Sequence, residues 1–184
     1  MRVLVACEFS GIVRTAFAKR KNDAWSCDFL PSEIVGNHFQ GDMRELEYGY
    51  GIWDLVIAFP PCTYLASSGA RWWKERHKEQ AKAIDFVLWI ANLPVYRIAI
   101  ENPIGLLSTK WRKPDQILQP YYFGIPESKA TCLWLKNLPP LMCKFSGGEG
   151  IIQRVHLEPP SQDRWKNRSR TYVAIAEAMA EQWG

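Results

Sequence analysis

Asp54-Leu55-Val56-Ile57-Ala58-Phe59-Pro60-Pro61-Cys62 is a continuous apolar run that ends on two prolines and a thiol. A stretch of this length, apolar at successive positions and bounded by proline, reads as a strand buried on both faces. Proline cannot donate to a sheet ladder, so the strand stops there. Working outward, residues 2–7 form a second such run. Ser10-Gly11 punctuates it before residues 12–20, where Ile12, Ala16 and Lys19 or Arg20 keep helical spacing. Residues 25–29 read as a short strand ending at Asp28, and Gly41-Asp42 as a loop.

From residue 80 to 93, Ile84, Val87, Leu88 and Ala91 recur on one helix face and Pro94 ends the run, which is the pattern of a crossover helix. Residues 97–101 give another strand, terminated by Asn102-Pro103, and residues 131–135 add one more. Tyr172, Ile175, Ala176, Met179 and Trp183 mark a closing amphipathic helix. This alternation predicts an α/β fold, a mostly parallel sheet with helices on both faces. The chain of 184 residues suits a single domain spanning 1–184, with a loop-rich segment at 137–168.

Composition excludes little. The chain is 47% hydrophobic and 23% charged, and no apolar run approaches the roughly 20 residues that span a bilayer. Membrane residence is not expected. A net charge of +4 permits an anionic partner without announcing one. Cys7, Cys27, Cys62, Cys132 and Cys143 form an odd, dispersed set without CxxC pairs, which speaks against a disulfide framework or a structural zinc and fits a reducing cytoplasm.

In an open parallel sheet, ligands bind beyond the carboxyl ends of the strands. Ser10-Gly11, Asp28, Pro60-Pro61-Cys62 and Glu101-Asn102 each follow a predicted strand, so the fold gathers them on one rim. Two prolines ahead of Cys62 would hold its thiol rigidly at the lip of a pocket.

The run ending in Pro61-Cys62, followed by Ile100-Glu101-Asn102-Pro103, resembles the catalytic pair of the DNA cytosine-5 methyltransferases. Phe9-Ser10-Gly11 resembles that family's first cofactor loop. Asp28 matches its acidic residue after the second strand, and Gly41-Asp42 its adenine-reading motif. Residues 124–131 look like its Gln-x-Arg-x-Arg segment, and residues 173–181 its closing helix. The resemblance implies a reduced, Rossmann-like S-adenosylmethionine-dependent methyltransferase fold, that of a small phage-like member. Residues 137–168 would stand where relatives carry a target-recognition domain.

The resemblance also implies roles. Cys62 would be the nucleophile, Glu101 the carboxylate on the base, with Asn102 and Lys129 beside them. Phe9, Ser10, Gly11, Asp28, Asp42 and Pro60 would hold S-adenosylmethionine. DNA, duplex or single-stranded, would be the partner, gripped by Ser68, Arg71, Trp72, Trp73, Lys74 and Arg76 in a loop after the nucleophile. Thr131, Arg168 and Arg170 would add contacts. A protein partner or homodimer would supply specificity that the short 137–168 segment does not.

The sequence departs from that family in places. Val13 and Arg14 stand where the first loop has later glycines, and Glu127, Lys129 and Thr131 stand for Gln, Arg and Arg. A zinc nucleobase deaminase is a rival on Pro61-Cys62 alone. It lacks the second cysteine, since Leu65 stands there, and the His-x-Glu, since Phe39-Gln40 follow His38. A methyltransferase-fold protein that binds DNA or a partner without turnover is another rival. Action on single strands or free cytosine nucleotides stays open.

Overall fold

The computed structural model describes residues 1–143, 150–153 and 157–184, apart from the side chains of 47–51. Its strands are β1 (Arg2–Ala6), β2 (Asp23–Asp28), β3 (His38–Gln40), β4 (Leu55–Ala58), β5 (Arg97–Pro103), β6 (Gln116–Leu118) and β7 (Thr131–Lys136). Its helices are α1 (Ile12–Lys19), α2 (His77–Ala91), α3 (Leu107–Lys110), α4 (Arg164–Ser169) and α5 (Val173–Trp183). The strands form one sheet in the order β3-β2-β1-β4-β5-β7-β6. β1 to β5 run parallel, and β7 alone is reversed, pairing antiparallel with both β5 and β6.

The apolar runs are continuous because both faces are covered. In β1, Val3 and Val5 face a core shared with Val13 and Phe17 of α1 and with Ala176, Met179 and Trp183 of α5. Leu4 and Ala6 face the opposite core, shared with Val87 and Ile90 of α2. β4 splits the same way, Leu55 and Ile57 to one side, Val56 and Ala58 to the other. All eight of these strand side chains are fully buried, and each large one stabilises the fold by about 1.5–3 kcal/mol. The expected mostly parallel α/β architecture with helices on both faces is the one observed.

Several boundaries differ from the sequence reading. Strand β5 does not stop before Asn102-Pro103: the antiparallel partner continues it, pairing Asn102 with Cys132 and Pro103 with Thr131. The reversal of β7 matters for the site, since it brings the residues just before Thr131 to the carboxyl end of β5. Residues 67–75, read as a loop, form a 3-10 helix that leads into α2. Within the segment read as loop, residues 164–169 form α4. No helix among the described residues is long and apolar enough to cross a membrane.

Candidate active site

Cys62 lies just beyond β4, in a turn closed by Leu65 N–H and Ala66 N–H donating to its carbonyl at 3.0 and 2.9 Å. That turn is stitched to the chain leaving β5. Leu106 N–H donates to the Leu65 carbonyl at 2.8 Å, and Ser67 N–H to the Ile104 carbonyl at 2.9 Å. Gly105 allows the approach, since a Cβ there would stand 1.9 Å from the Leu65 oxygen. Asn102 is buried, and its amide donates to the carbonyl of Pro60 at 2.8 Å. It acts on the Pro-Pro-Cys segment from behind and points away from solvent. Pro60 itself is buried as part of this hinge between strand ends.

Glu101 lies on the neighbouring strand and, with Lys129 and Thr131, lines a narrow cavity of about 20 Å³ closed by Phe59, Tyr172 and Met179. That volume suits about one water. Burial pushes the Glu101 carboxyl up, against the opposing pull of Lys129 and of a hydrogen bond from Thr131. Burial pushes the Lys129 ammonium down, while Glu101 and Cys62 hold it up. The Cys62 residue is exposed overall, yet crowding around its sulfur raises its pKa, and Glu101 raises it further; Lys129 and Arg168 pull the other way. Thiol, carboxyl and ammonium thus act on one another across the ends of β4, β5 and β7. Thr131, expected against nucleic acid, lines this cavity beside Glu101, and its hydroxyl donates to the Lys129 carbonyl at 3.3 Å.

The residues expected to hold a cofactor converge only in part. Phe9, Ser10 and Gly11 follow β1, and Gly11 adopts φ +70°, entering α1 where a Cβ would meet the Arg14 guanidinium at 2.6 Å. The first-turn amides of α1 are taken by the chain itself. Buried Glu8 accepts from Val13 N–H at 2.6 Å, from Arg14 N–H at 3.2 Å and from the Ser10 hydroxyl at 3.1 Å. A residue unnoticed in the sequence therefore fills the place where a helix N-terminus receives an anion. Asp28 ends β2, half-buried, with one oxygen accepting Leu30 N–H at 3.0 Å and its pKa raised by burial. Its charge, with that of Asp42, reaches Cys7, so these strand ends share one rim. Asp42 is already engaged by the Arg44 guanidinium, which holds its carboxyl below the usual range.

The fold is Rossmann-like. No protein-family model matches the chain, and no curated protein matches it. Among solved structures it is similar to a triple mutant of Spodoptera frugiperda DNMT2, with a TM-score of 0.49 and 14% sequence identity, over 82% of this chain and 54% of that one. The chain thus spans about half that protein's length. The assignment of architecture rests on the strand order and register given above.

The remaining expected contacts divide. Arg71, Trp72, Lys74 and Arg76 are exposed beyond Cys62, as is Ser68. Arg71 and Arg76 both lie over the Trp72 ring, at 5.0 and 6.0 Å, and Arg76 also over Tyr64 at 5.6 Å. This is an open cation–π surface. Trp73 faces the other way, packed against the core on the α2 face with its indole nitrogen buried. Arg170, expected on phosphate, has its guanidinium held by both Glu33 oxygens at 2.9 and 2.6 Å. It also lies 5.8 Å from the centre of the Phe9 ring, and Trp165 covers Phe9 at 5.9 Å. Phe9 is therefore buried beneath α4 and the residue that ends it. Glu8 and Glu33 are residues of this region that the sequence reading did not place here, and Trp165, which the sequence offers only within a basic cluster before the last helix, lies on Phe9. Glu8 alone left a sign, an acidic residue set directly after an apolar strand.

Proposed function

We propose that this protein is an S-adenosylmethionine-dependent methyltransferase acting on C5 of cytosine in DNA. The observation that carries the reading is placement: Cys62 follows the carboxyl end of β4, Glu101 lies toward the same end of its parallel neighbour β5, and Lys129, just before the reversed β7, lines one cavity with Glu101. A thiol at a strand end beside a carboxyl whose pKa burial raises is the pairing that addition to a pyrimidine needs. C5 of cytosine is a poor nucleophile until a thiolate adds at C6.

In this mechanism Lys129 and Arg168 favour the thiolate of Cys62, which bonds to C6. Glu101, hydrogen-bonded at N3 and the exocyclic amine, delivers a proton to N3 as charge builds in the ring. S-adenosylmethionine, when bound, supplies the electrophilic methyl group that C5 takes. A base, for which water serves, takes the C5 proton; the C6–sulfur bond then breaks with Cys62 leaving as thiolate, and N3 returns its proton to the Glu101 carboxylate. Asp28 would hold the ribose hydroxyls, and the Phe9–Gly11 turn would face the methionine end. A base inside a duplex must be extruded to reach the thiol, at a cost of a few kcal/mol. The exposed Arg71, Trp72, Lys74 and Arg76 supply cations and a stacking face for that strand.

Incubating the protein with methyl-labelled cofactor and duplex, single-stranded or nucleotide substrates, followed by nucleoside mass spectrometry, tests this. Label is expected in 5-methylcytosine. Transfer to another base, or none to any form, contradicts it.

A further inference from the structure

Arg170 reaches two parts of the molecule that the proposed reaction has to keep in register. Its guanidinium forms a two-pronged bond to Glu33, in the loop after β2, and packs over Phe9 of the turn after β1. Asn167 in α4 also accepts from it, at 2.5 Å. Its main-chain carbonyl, together with that of Arg168, accepts from the Lys129 ammonium at 3.4 and 2.8 Å. Lys129 in turn lies over the Tyr172 ring at 5.7 Å, just where the strap enters α5. One short strap, α4 and the residue that ends it, thus touches the strand ends on the cofactor side through side chains and the proposed base site through main-chain oxygens.

We propose that Arg170 and Glu33 are a positioning pair: their bond seats the strap whose carbonyls aim the Lys129 ammonium at Cys62 and Glu101. The inference builds on the proposed function, since it says how the cofactor side and the base side of that site communicate. It also assigns Arg170 a task other than binding phosphate. Planar two-pronged pairing is what an arginine offers over a lysine, so the geometry explains the residue type.

The charged groups that face Cys62 are Glu101 from β5, Lys129 from the approach to β7, and Arg168 from α4. Those that face Lys129 are Glu101, Cys62, Arg168 and Glu127. Of these, the strap carries Arg168 and sets where Lys129 points. The consequence is readable on the thiol alone, without cofactor or DNA.

The experiment follows alkylation of Cys62 by iodoacetamide across pH, read by peptide mass spectrometry. The full chain is compared with Glu33→Gln, Arg170→Met, Arg170→Lys, Lys129→Met, the double variant Glu33→Gln/Arg170→Met and the exchange Glu33→Arg/Arg170→Glu. Thermal unfolding of each shows that it is folded. The proposal expects Lys129→Met, Glu33→Gln and Arg170→Met each to move the thiol profile upward by up to about one pH unit. It expects the double variant to match the singles, Arg170→Lys to sit between, and the exchange to recover part of the parent profile. Profiles that stay at the parent position in folded Glu33→Gln and Arg170→Met, while Lys129→Met moves, overturn it. So does a profile that Lys129→Met itself leaves unmoved. A salt slope of DNA binding that falls by about one in Arg170→Met, with Glu33→Gln silent, also overturns it in favour of a phosphate contact. Failure of the methyltransferase reading would register separately, as absent methyl transfer with the thiol profiles still shifted.

Discussion

The side-chain amide of Asn102 donates to the main-chain carbonyl of Pro60 at 2.8 Å, and it does so where both residues are buried. This bond locks the end of the strand that carries Glu101 to the end of the strand that leads to Cys62. Removing it by Asn102→Ala strands a buried carbonyl, and the expected cost is about 1–3 kcal/mol. Asn102→Asp should cost more, because a carboxylate would face the Pro60 oxygen with no proton to share. Urea unfolding of the three proteins checks the order.

Gly105 makes a similar connection through space. The Leu65 oxygen stands 1.9 Å from where its Cβ would be, and that same oxygen accepts Leu106 N–H. Gly105→Ala therefore has to push the Cys62 turn away from β5. A loss of about 1–3 kcal/mol is expected from such overpacking. If the alanine variant unfolds like the parent, the turn is not pinned there.

The Glu33–Arg170 pair predicts a pH dependence of stability. Its hydrogen bonds hold the Glu33 carboxyl below its ordinary value of 4.5. A carboxylate with a depressed folded-state pKa contributes stability that is present above the ordinary value and is lost as pH falls through the folded one. Both side chains are about a third exposed, so the contribution is small, under about 1 kcal/mol, and salt should weaken it. Melting curves of the parent and Glu33→Gln should differ at pH 7 and converge below the ordinary carboxylate range. A difference that persisted once the Glu33 carboxyl is fully protonated would show another origin.

Adjacent tryptophans after the nucleophile give opposite expectations. Trp72 is 44% exposed beneath Arg71 and Arg76, whereas Trp73 packs into the core on the α2 face. Trp72→Ala should leave folding intact and weaken single-stranded DNA binding by about 1–3 kcal/mol. Trp73→Ala should lower stability by about 3 kcal/mol. Fluorescence binding and thermal melts on both variants separate the roles, and equal effects would contradict the assignment.

What the sequence revealed follows burial. Leu55–Ala58 and the run through Val3 to Ala6 announce themselves because both faces are covered and every position is apolar. The adjacency of the strands that lead to Cys62 and carry Glu101 was legible as well, since a parallel sheet aligns the carboxyl ends of neighbours. β3 and β6, with three residues each, are too short for any periodicity to show. The strap's internal contacts were hidden because Arg164, Lys166, Arg168 and Arg170 have the look of a stretch that grips phosphate or covers the surface, and the Glu33 that holds Arg170 lies 137 positions away. Asn102 and Pro103 looked like a strand terminator because the antiparallel partner that extends β5 belongs to a later segment. Glu8, an acid set directly after an apolar strand, turns inward to take amides of α1, a contact no periodicity announces.

The most direct test of the account is covalent capture by an oligonucleotide containing 5-fluorocytosine in the presence of S-adenosylmethionine. Fluorine at C5 blocks the release step, so a protein acting as proposed stays bonded to C6 through sulfur. The expected result is a denaturation-resistant complex that peptide mapping places on Cys62, absent in Cys62→Ala and sharply reduced in Glu101→Gln. A complex that forms equally well in Cys62→Ala, or a folded parent that binds both partners and never forms one, would contradict it.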